Sequence, residues 1–286
     1  MHAVLLIQKK LMSTINENRP EENSWVIACE DCLDAAKKLT GSCRLAVFDS
    51  PYNFGMDYPN YDDKKSQQNF LSQLQQWLTA VASTLTEDGS LWVFSPEEWV
   101  SRIDIYCQDT LNLFLRRHII WAFTFGQAAA KNFTRSHCHI LYLTKSKKNF
   151  IYNRDAVAIL SARQAVYKDK RANPNGKNPD DVWVLRKNEL AEAIAGNESV
   201  WLENRICGTY KERQPHISNQ IPLAIYRRIV SAVTYPNDLV FDPFGGSFGL
   251  GVVARQLGRR YYGCDISEDF VRIGTDRLRS LIFLNL

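Results

Sequence analysis

Short apolar runs alternate along this chain with longer stretches in which apolar residues recur every third or fourth position. Trp25-Val26-Ile27 opens the first run. Leu45-Ala46-Val47-Phe48, Ser90-Leu91-Trp92-Val93-Phe94, 119–125, 139–143, Leu239-Val240-Phe241 and 261–264 follow. Runs this short and this continuously apolar suit strands buried on both faces. Between them Phe70, Leu71, Leu74, Trp77, Leu78, Val81 and Leu85 recur at helical spacing, which predicts a helix over 69–85. Further helices are predicted at 31–39, closed by Gly41, near 97–113, at 223–233 and at 250–257, with a turn at Glu87-Asp88-Gly89. Strand and helix in this rhythm predict an α/β fold, a parallel sheet with helices on both faces.

The rhythm fails between about 150 and 216. That stretch is polar and basic, and Asn173-Pro174-Asn175-Gly176-Lys177-Asn178-Pro179 is a strong loop signal. Four segments are therefore expected: a flexible extension at 1–24, half of a domain at 25–149, an inserted region at 150–216, and the other half at 217–286.

Composition narrows the class. The 286 residues are 45% hydrophobic and 23% charged, as in an ordinary globular protein. No apolar run approaches the ~20 residues of a membrane-spanning helix, and the opening Ala3-Val4-Leu5-Leu6-Ile7 is too short for a secretory signal. The expectation is a cytoplasmic protein with no membrane partner. Seven cysteines form no disulfide framework, and Cys29-Glu30-Asp31-Cys32 has no second pair to complete a zinc knuckle. His137-Cys138-His139 lies in an apolar stretch, so no metal site is expected.

Charge changes the picture more. The net +4 conceals fifteen Lys and Arg against four Asp between 116 and 187, a local +11 that leaves the remainder at −7. Trp121, Phe133, Tyr142, Phe150, Tyr152, Tyr167 and Trp183 are interleaved with this basic stretch. That is the composition of a nucleic-acid face.

Two strand tips carry candidate chemistry. Leu239-Val240-Phe241 runs into Asp242-Pro243-Phe244-Gly245-Gly246-Ser247-Phe248-Gly249, and the next strand ends at Asp265. The glycines let the backbone approach a ligand. Asp265, 19 residues past Gly246, stands where an acidic residue reaches ribose hydroxyls. The loop is not GxGxxG, and Asp242 would repel a pyrophosphate while suiting a ligand with an ammonium. S-adenosylmethionine is such a ligand. The second tip, Asp49-Ser50-Pro51-Tyr52, suits an exocyclic amine. The Asp49 carboxylate and the Ser50 carbonyl would accept its hydrogens and aim the nitrogen lone pair at a methyl donor. Pro51 stiffens the turn, and Tyr52 offers a flat face to a base taken out of its stack.

Together the two segments resemble the amino-directed DNA methyltransferases, whose signature is (D/N/S)PP(Y/F) with a D-P-F-x-G-S-G-type loop. The tetrapeptide-first order is similar to the family's beta class. The likeness spans roughly 25–280 and includes Asp180-Asp181-Val182-Trp183 and the lead-in His216-Ile217-Ser218-Asn219-Gln220-Ile221-Pro222-Leu223. The sequence departs from the pattern in three places: Ser50 replaces a proline, Ile221 stands where lysine is common, and the glycine loop reads Gly245-Gly246-Ser247-Phe248-Gly249 rather than G-S-G.

The resemblance implies a Rossmann-like S-adenosylmethionine-dependent methyltransferase sheet, with 150–216 as an inserted target-recognition region. It implies that Asp31, Pro222, Asp242, Phe244, Gly245, Gly246, Ser247 and Asp265 hold the cofactor, while Asp49, Ser50, Pro51 and Tyr52 hold the target amine. Double-stranded DNA is the expected partner, held at its phosphates by Arg116, Arg117, Lys131, Arg135, Lys168, Lys170 and Arg171. Adenine N6 and cytosine N4 stay equally open, as do a homodimer, a cognate restriction endonuclease and association with the nucleoid. The rival readings are an inactive DNA-binding subunit, an RNA or protein-glutamine methyltransferase, and a nicotinamide dehydrogenase. No Pro-Cys dipeptide is present, which argues against cytosine-C5 chemistry.

Overall fold

A computed structural model describes residues 25–281, apart from 124–129, 160, 166, 184–205, 207–210, 215, 216 and 218. The extension at 1–24, Cys207, and parts of the inserted region and of the 216–223 lead-in lie outside the described residues.

The described strands are β1 (Trp25–Cys29), β2 (Cys43–Phe48), β3 (Asp57–Tyr58), β4 (Tyr61–Asp62), β5 (Leu85–Ser95), β6 (Phe114–Ala122), β7 (His137–Thr144), β8 (Val182–Trp183), β9 (Leu239–Asp242) and β10 (Arg260–Asp265). Eight of them form one sheet in the order β1-β10-β9-β2-β5-β7-β6-β8, and β3 pairs with β4 as a small hairpin. From β1 to β5 every pairing is parallel. β7 then runs antiparallel to both β5 and β6, so the sheet is mixed rather than wholly parallel. β6 and β7 are consecutive and pair antiparallel, an arrangement that needs no crossover helix.

The helices are α1 (Cys32–Lys38), α2 (Gln67–Ser83), α3 (Glu97–Ile105), α4 (Arg154–Val157), α5 (Ala162–Ala165), α6 (Leu223–Val233), α7 (Gly249–Gln256) and α8 (Glu268–Arg279). Side-chain caps mark three of their starts. Asp31 accepts from the Leu33 N–H at 2.7 Å, Ser66 from Asn69 at 3.3 Å, and Ser267 from Phe270 at 3.3 Å. The helix expected over 97–113 is α3 followed by a π-helical turn at Tyr106–Thr110. The expected turn at Glu87-Asp88-Gly89 lies inside β5. Cys43 faces Leu85 and Leu45 faces Ser90, so the turn residues bulge out of the pairing instead of ending the strand.

Successive residues of the central strands point to opposite faces and build two cores. Leu45, Val47, Trp92 and Phe94 pack with Ile225, Ile229, Val253 and Leu278 from α6, α7 and α8. Ala46, Phe48, Leu91 and Val93 pack on the other face with Ala35, Phe70, Leu74, Trp77 and Trp99 from α1, α2 and α3. The chain leaves β9 through α7 to β10 on one side, and leaves β2 through α2 to β5 on the other. β9 and β2 are neighbours, with Ala46 beside Phe241. Their carboxyl tips therefore splay apart at the switch point of the sheet, where α/β folds open a crevice.

Candidate active site

Both candidate segments sit at that switch point. Asp49, Ser50, Pro51 and Tyr52 leave β2, the 243–247 loop leaves β9, and all of them line one cleft. Asp31, Asp265, Gln220, Ile221, Tyr226 and Phe270 complete much of its wall. Tyr52 and Gly246, 194 positions apart in sequence, thus face a common space.

The glycine loop is built for close approach. Gly246 adopts φ +48°, a conformation that glycine takes without strain. A Cβ on Gly245 would strike the Phe248 ring at 2.2 Å. Asp265 fastens the loop: its carboxylate accepts the Gly246 N–H at 2.9 Å and the Ser267 N–H at 2.9 Å. The Gly245 N–H donates to the Cys264 carbonyl at 2.8 Å, and Arg277 donates to the Ser247 carbonyl at 2.7 Å. Phe244 stands edge-on to Phe48 and to Trp77, each 5.1 Å away. Asp242 lies just beneath the cleft, 5% exposed, where the Tyr261 hydroxyl donates to it at 2.8 Å. Pro222 is buried at the start of α6, behind Ile221, and is not among the lining residues.

Negative charge is concentrated here. Burial pushes the Asp242 carboxyl up to about 7, and the neighbouring Asp49 and Asp265 charges add to the rise. Burial also pushes Asp49 up to about 6, against the opposing hydrogen bond from Tyr52. Asp265 is raised by burial too, in spite of its backbone donors. Two carboxyl groups in the cleft and a third beneath it, all resisting ionisation, suit a cationic ligand whose charge would favour their ionised forms. An ammonium and a sulfonium on a ribonucleoside meet that requirement, so the residues present fit S-adenosylmethionine.

A second cavity adjoins the first and shares Asp49, Tyr52, Asn219, Gln220 and Ile221 with it. Phe54, Phe94, Trp121 and Phe123 supply aromatic walls. The Tyr52 hydroxyl hydrogen-bonds the Asp49 carboxylate between the two spaces. An aromatic slot thus meets a nucleoside-type cleft at a pair of hydrogen-bond acceptors.

The basic residues divide. Lys131 and Arg135 precede β7 on the carboxyl edge of the sheet, beside Phe133, which is 96% exposed. Arg135 is not free for phosphate: it pairs with Glu97 at 3.3 Å and with Glu98, and it lies 5.3 Å from the Phe54 ring centroid. Arg116 and Arg117 are at the start of β6, where Phe114 faces Thr144, on the opposite edge from the cleft. Arg116 donates to Thr144 Oγ1 at 2.8 Å and to the Ser146 carbonyl at 2.6 Å, and lies 4.0 Å from the Phe150 ring centroid. These contacts make it a structural tie. Lys168, Lys170 and Arg171 are exposed, with Arg171 paired to Asp169 at 3.0 Å.

Glu30 also lines the cleft and was missed by sequence reasoning. It follows β1, whose Cys29 pairs with Asp265, and it accepts from the Tyr262 hydroxyl at 2.5 Å. An acidic residue at a third strand tip was the available signal. His139 contacts two other histidines, His118 Nε2 to His139 Nδ1 at 2.8 Å and His137 Nε2 to His139 Nε2 at 3.2 Å. No group of metal-ligating side chains occurs among the described residues. The described cysteines are unpaired with one another, Cys29 and Cys32 included. No helix among the described residues is long and apolar enough to cross a membrane.

A doubly wound sheet with a glycine loop facing Asp49 and Ser50 across its switch point places the chain in the α/β class that includes the S-adenosylmethionine-dependent methyltransferases. A family model described as DNA methylase matches residues 43–276, and the chain belongs to that family of amino-methylating DNA methyltransferases. The family's methyl donor is S-adenosylmethionine. The chain is 29% identical over 255 residues to the type II methyltransferase M.HpaI of Haemophilus parainfluenzae, covering 89% of this chain and 74% of the relative. It is 29% identical over 252 residues to the DNA adenine methyltransferase YhdJ of Escherichia coli K12, covering 87% and 80%. The solved PvuII DNA methyltransferase, described as cytosine-N4-specific, shares the fold with a TM-score of 0.60 at 15% identity, covering 92% of this chain and 88% of that one.

Proposed function

We propose that this chain moves a methyl group from S-adenosylmethionine to the exocyclic amine of a base flipped out of duplex DNA. The observation that carries the reading is the shared cleft: amine acceptors at Asp49 and Ser50 face the 243–247 loop and Asp265. Bound there, the cofactor supplies an electrophilic methyl group on a positively charged sulfur.

The chain's own residues do the rest. Gly245 and Gly246 admit the ligand's polar end close to the backbone, and Asp31, Glu30 and Asp265 present carboxylates to the nucleoside end. In the adjoining aromatic cavity, Tyr52 gives the flipped base a face to lie on. Asp49 and the Ser50 carbonyl accept the two amine hydrogens, which makes the nitrogen pyramidal and exposes its lone pair. The Asp49 carboxylate then holds the proton that nitrogen sheds. Ser50 in place of proline still supplies a backbone carbonyl, so the departure from the family pattern removes no reacting group. This favours catalysis over an inactive subunit.

Adenine and cytosine carry the same amine, and one relative is named for adenine while a fold neighbour is named for cytosine N4. The reading covers both. Duplex DNA is incubated with labelled cofactor, digested and chromatographed as nucleosides. The expected label is in N6-methyladenine or N4-methylcytosine, which also identifies the base. Label in neither overturns the reading.

A further inference from the structure

We propose that Asp63 and Trp99, neither of them in the signature tetrapeptide, are positioning residues that clamp the Tyr52 loop in register with the cofactor cleft. The inference rests on the methyl-transfer reading above and adds two residues to it. Tyr52 is followed by Asn53-Phe54-Gly55-Met56, a turn with Asn53 at φ +62° and Gly55 at φ +72°. A turn with two left-handed residues, one of them not glycine, does not hold its shape unaided.

Asp63 supplies the hold. It is 2% exposed, and its carboxylate takes three backbone N–H groups of the loop. Oδ1 accepts from Asn53 at 2.8 Å, while Oδ2 accepts from Phe54 at 3.0 Å and from Met56 at 3.0 Å. The Gly55 N–H donates to the Asp63 carbonyl at 2.9 Å. Four consecutive N–H groups thus converge on one residue, brought there by the β3–β4 hairpin. From the other side, Trp99 Nε1 on α3 donates to the Tyr52 carbonyl at 2.9 Å. Trp99 is itself wedged against Phe70 of α2, with ring centroids 4.7 Å apart.

Asp63 lines neither cavity, so it meets neither cofactor nor base. Its effect passes through the loop to Tyr52 and Asp49, whose side chains hydrogen-bond each other. The cofactor side of the cleft is fastened by different groups, Asp265, Cys264 and Arg277. The clamp therefore acts first on how the amine is presented, while the glycine loop keeps its own fastenings.

Asp63→Asn keeps the size of the side chain but turns an NH2 toward at least one loop N–H. Misplacement of a reacting group by about 1 Å costs on the order of a hundredfold in rate. The expected result is a kcat about 10- to 100-fold lower, with the cofactor Kd and the KM for DNA within about twofold of wild type. A purely structural role would lower kcat by reducing the folded fraction and would weaken cofactor binding in step. Coupling separates the two: in an Asp49→Asn background, Asp63→Asn should cost less than about threefold, because the acceptor it positions is already impaired. Trp99→Phe tests the other end of the clamp, and decides the matter if Asp63→Asn does not fold. It too should lower kcat at unchanged KM. Wild-type kcat in either folded variant, or full additivity with Asp49→Asn, overturns the proposal. Wild type that labels no DNA overturns the functional reading and this inference together.

Discussion

Asp242→Asn should make the fold less sensitive to pH. The substitution replaces one buried oxygen by nitrogen, retains an acceptor for the Tyr261 hydroxyl, and deletes an ionisation. In the unfolded chain the carboxyl ionises near its ordinary value of 3.8, whereas in the fold burial and the Asp49 and Asp265 charges hold it up to about 7. Between those values the folded state keeps a proton that the unfolded state has lost, so stability falls as pH rises through that window. Each pH unit inside the window costs about 1.4 kcal/mol. From pH 5 to pH 7 the loss is about 2 kcal/mol, and it changes little above that. Asp242 is 5% exposed, so solvent screening does not dilute the effect.

Urea unfolding at pH 5, 6, 7 and 8 reads the prediction directly. From pH 5 to pH 7 the stability of the variant relative to wild type should rise by about 2 kcal/mol, whatever constant offset the substitution itself introduces. The difference between the two proteins cancels every other titration they share. Cofactor affinity carries the reverse signature. A cation favours the carboxylate, so wild-type affinity should strengthen as pH rises toward 7, and the variant's should strengthen less steeply because only Asp49 and Asp265 still titrate. Parallel stability profiles from pH 5 to 8 would refute the argument that this carboxyl is held protonated by its surroundings.

Three further predictions test other parts of the site. Asp49 must be ionised to accept the amine hydrogen, and its carboxyl titrates at about 6. Single-turnover transfer should therefore be about tenfold slower at pH 5 than at pH 7. Asp49→Asn should be slower throughout and lack that acid limb; a variant with the wild-type profile sinks the assignment. Replacing Glu97 and Glu98 with Gln frees Arg135 at the mouth of the aromatic cavity. DNA binding by anisotropy should then tighten several-fold at low salt and its log–log salt slope should steepen by about one unit. Arg116→Ala and Arg117→Ala, at the far edge of the sheet, should leave that slope unchanged. Arg116→Ala should instead lower stability by about 1–2 kcal/mol through its lost hydrogen bonds. A reduced slope in these variants would return them to the DNA face.

The two strand tips were legible because their chemistry is local. Asp49 and Asp265 end apolar runs, and a carboxylate that stops a buried strand announces itself without tertiary information. The helix over 69–85 was legible for a similar reason: its apolar face repeats often enough to fix the period, and α2 fell within two residues of the expected ends. The reversal of β7 was not legible. A strand buried on both faces shows the same continuous apolar run in either direction, so His139 to Leu143 carry no mark of polarity. The β3–β4 hairpin has two residues per strand, too few for alternation to show. Asp63 was hidden for a further reason. Its partners are backbone N–H groups, which every residue but proline possesses, so no pairing of side chains points to it.

Charge composition places a side chain less closely than a strand-tip motif does, and the cause is general. A local +11 measures how many cations a segment holds, not which edge of the sheet they reach or what already neutralises them. β6 runs across the whole thickness of the sheet, from Phe114 at the amino edge to Ala122 at the carboxyl edge. Arg116 and the loop carrying Arg135 therefore contribute equally to the tally while standing at opposite ends of a strand. Arg135 reaches the edge that carries the cleft, yet Glu97 and Glu98 from the first turn of α3 meet it there. In the proposed reaction duplex DNA would approach past those two carboxylates, and their charge would oppose it. Bringing a phosphate to Arg135 thus means exchanging one anionic partner for another, a near-balanced step that weakens binding while sharpening the requirement for correct placement.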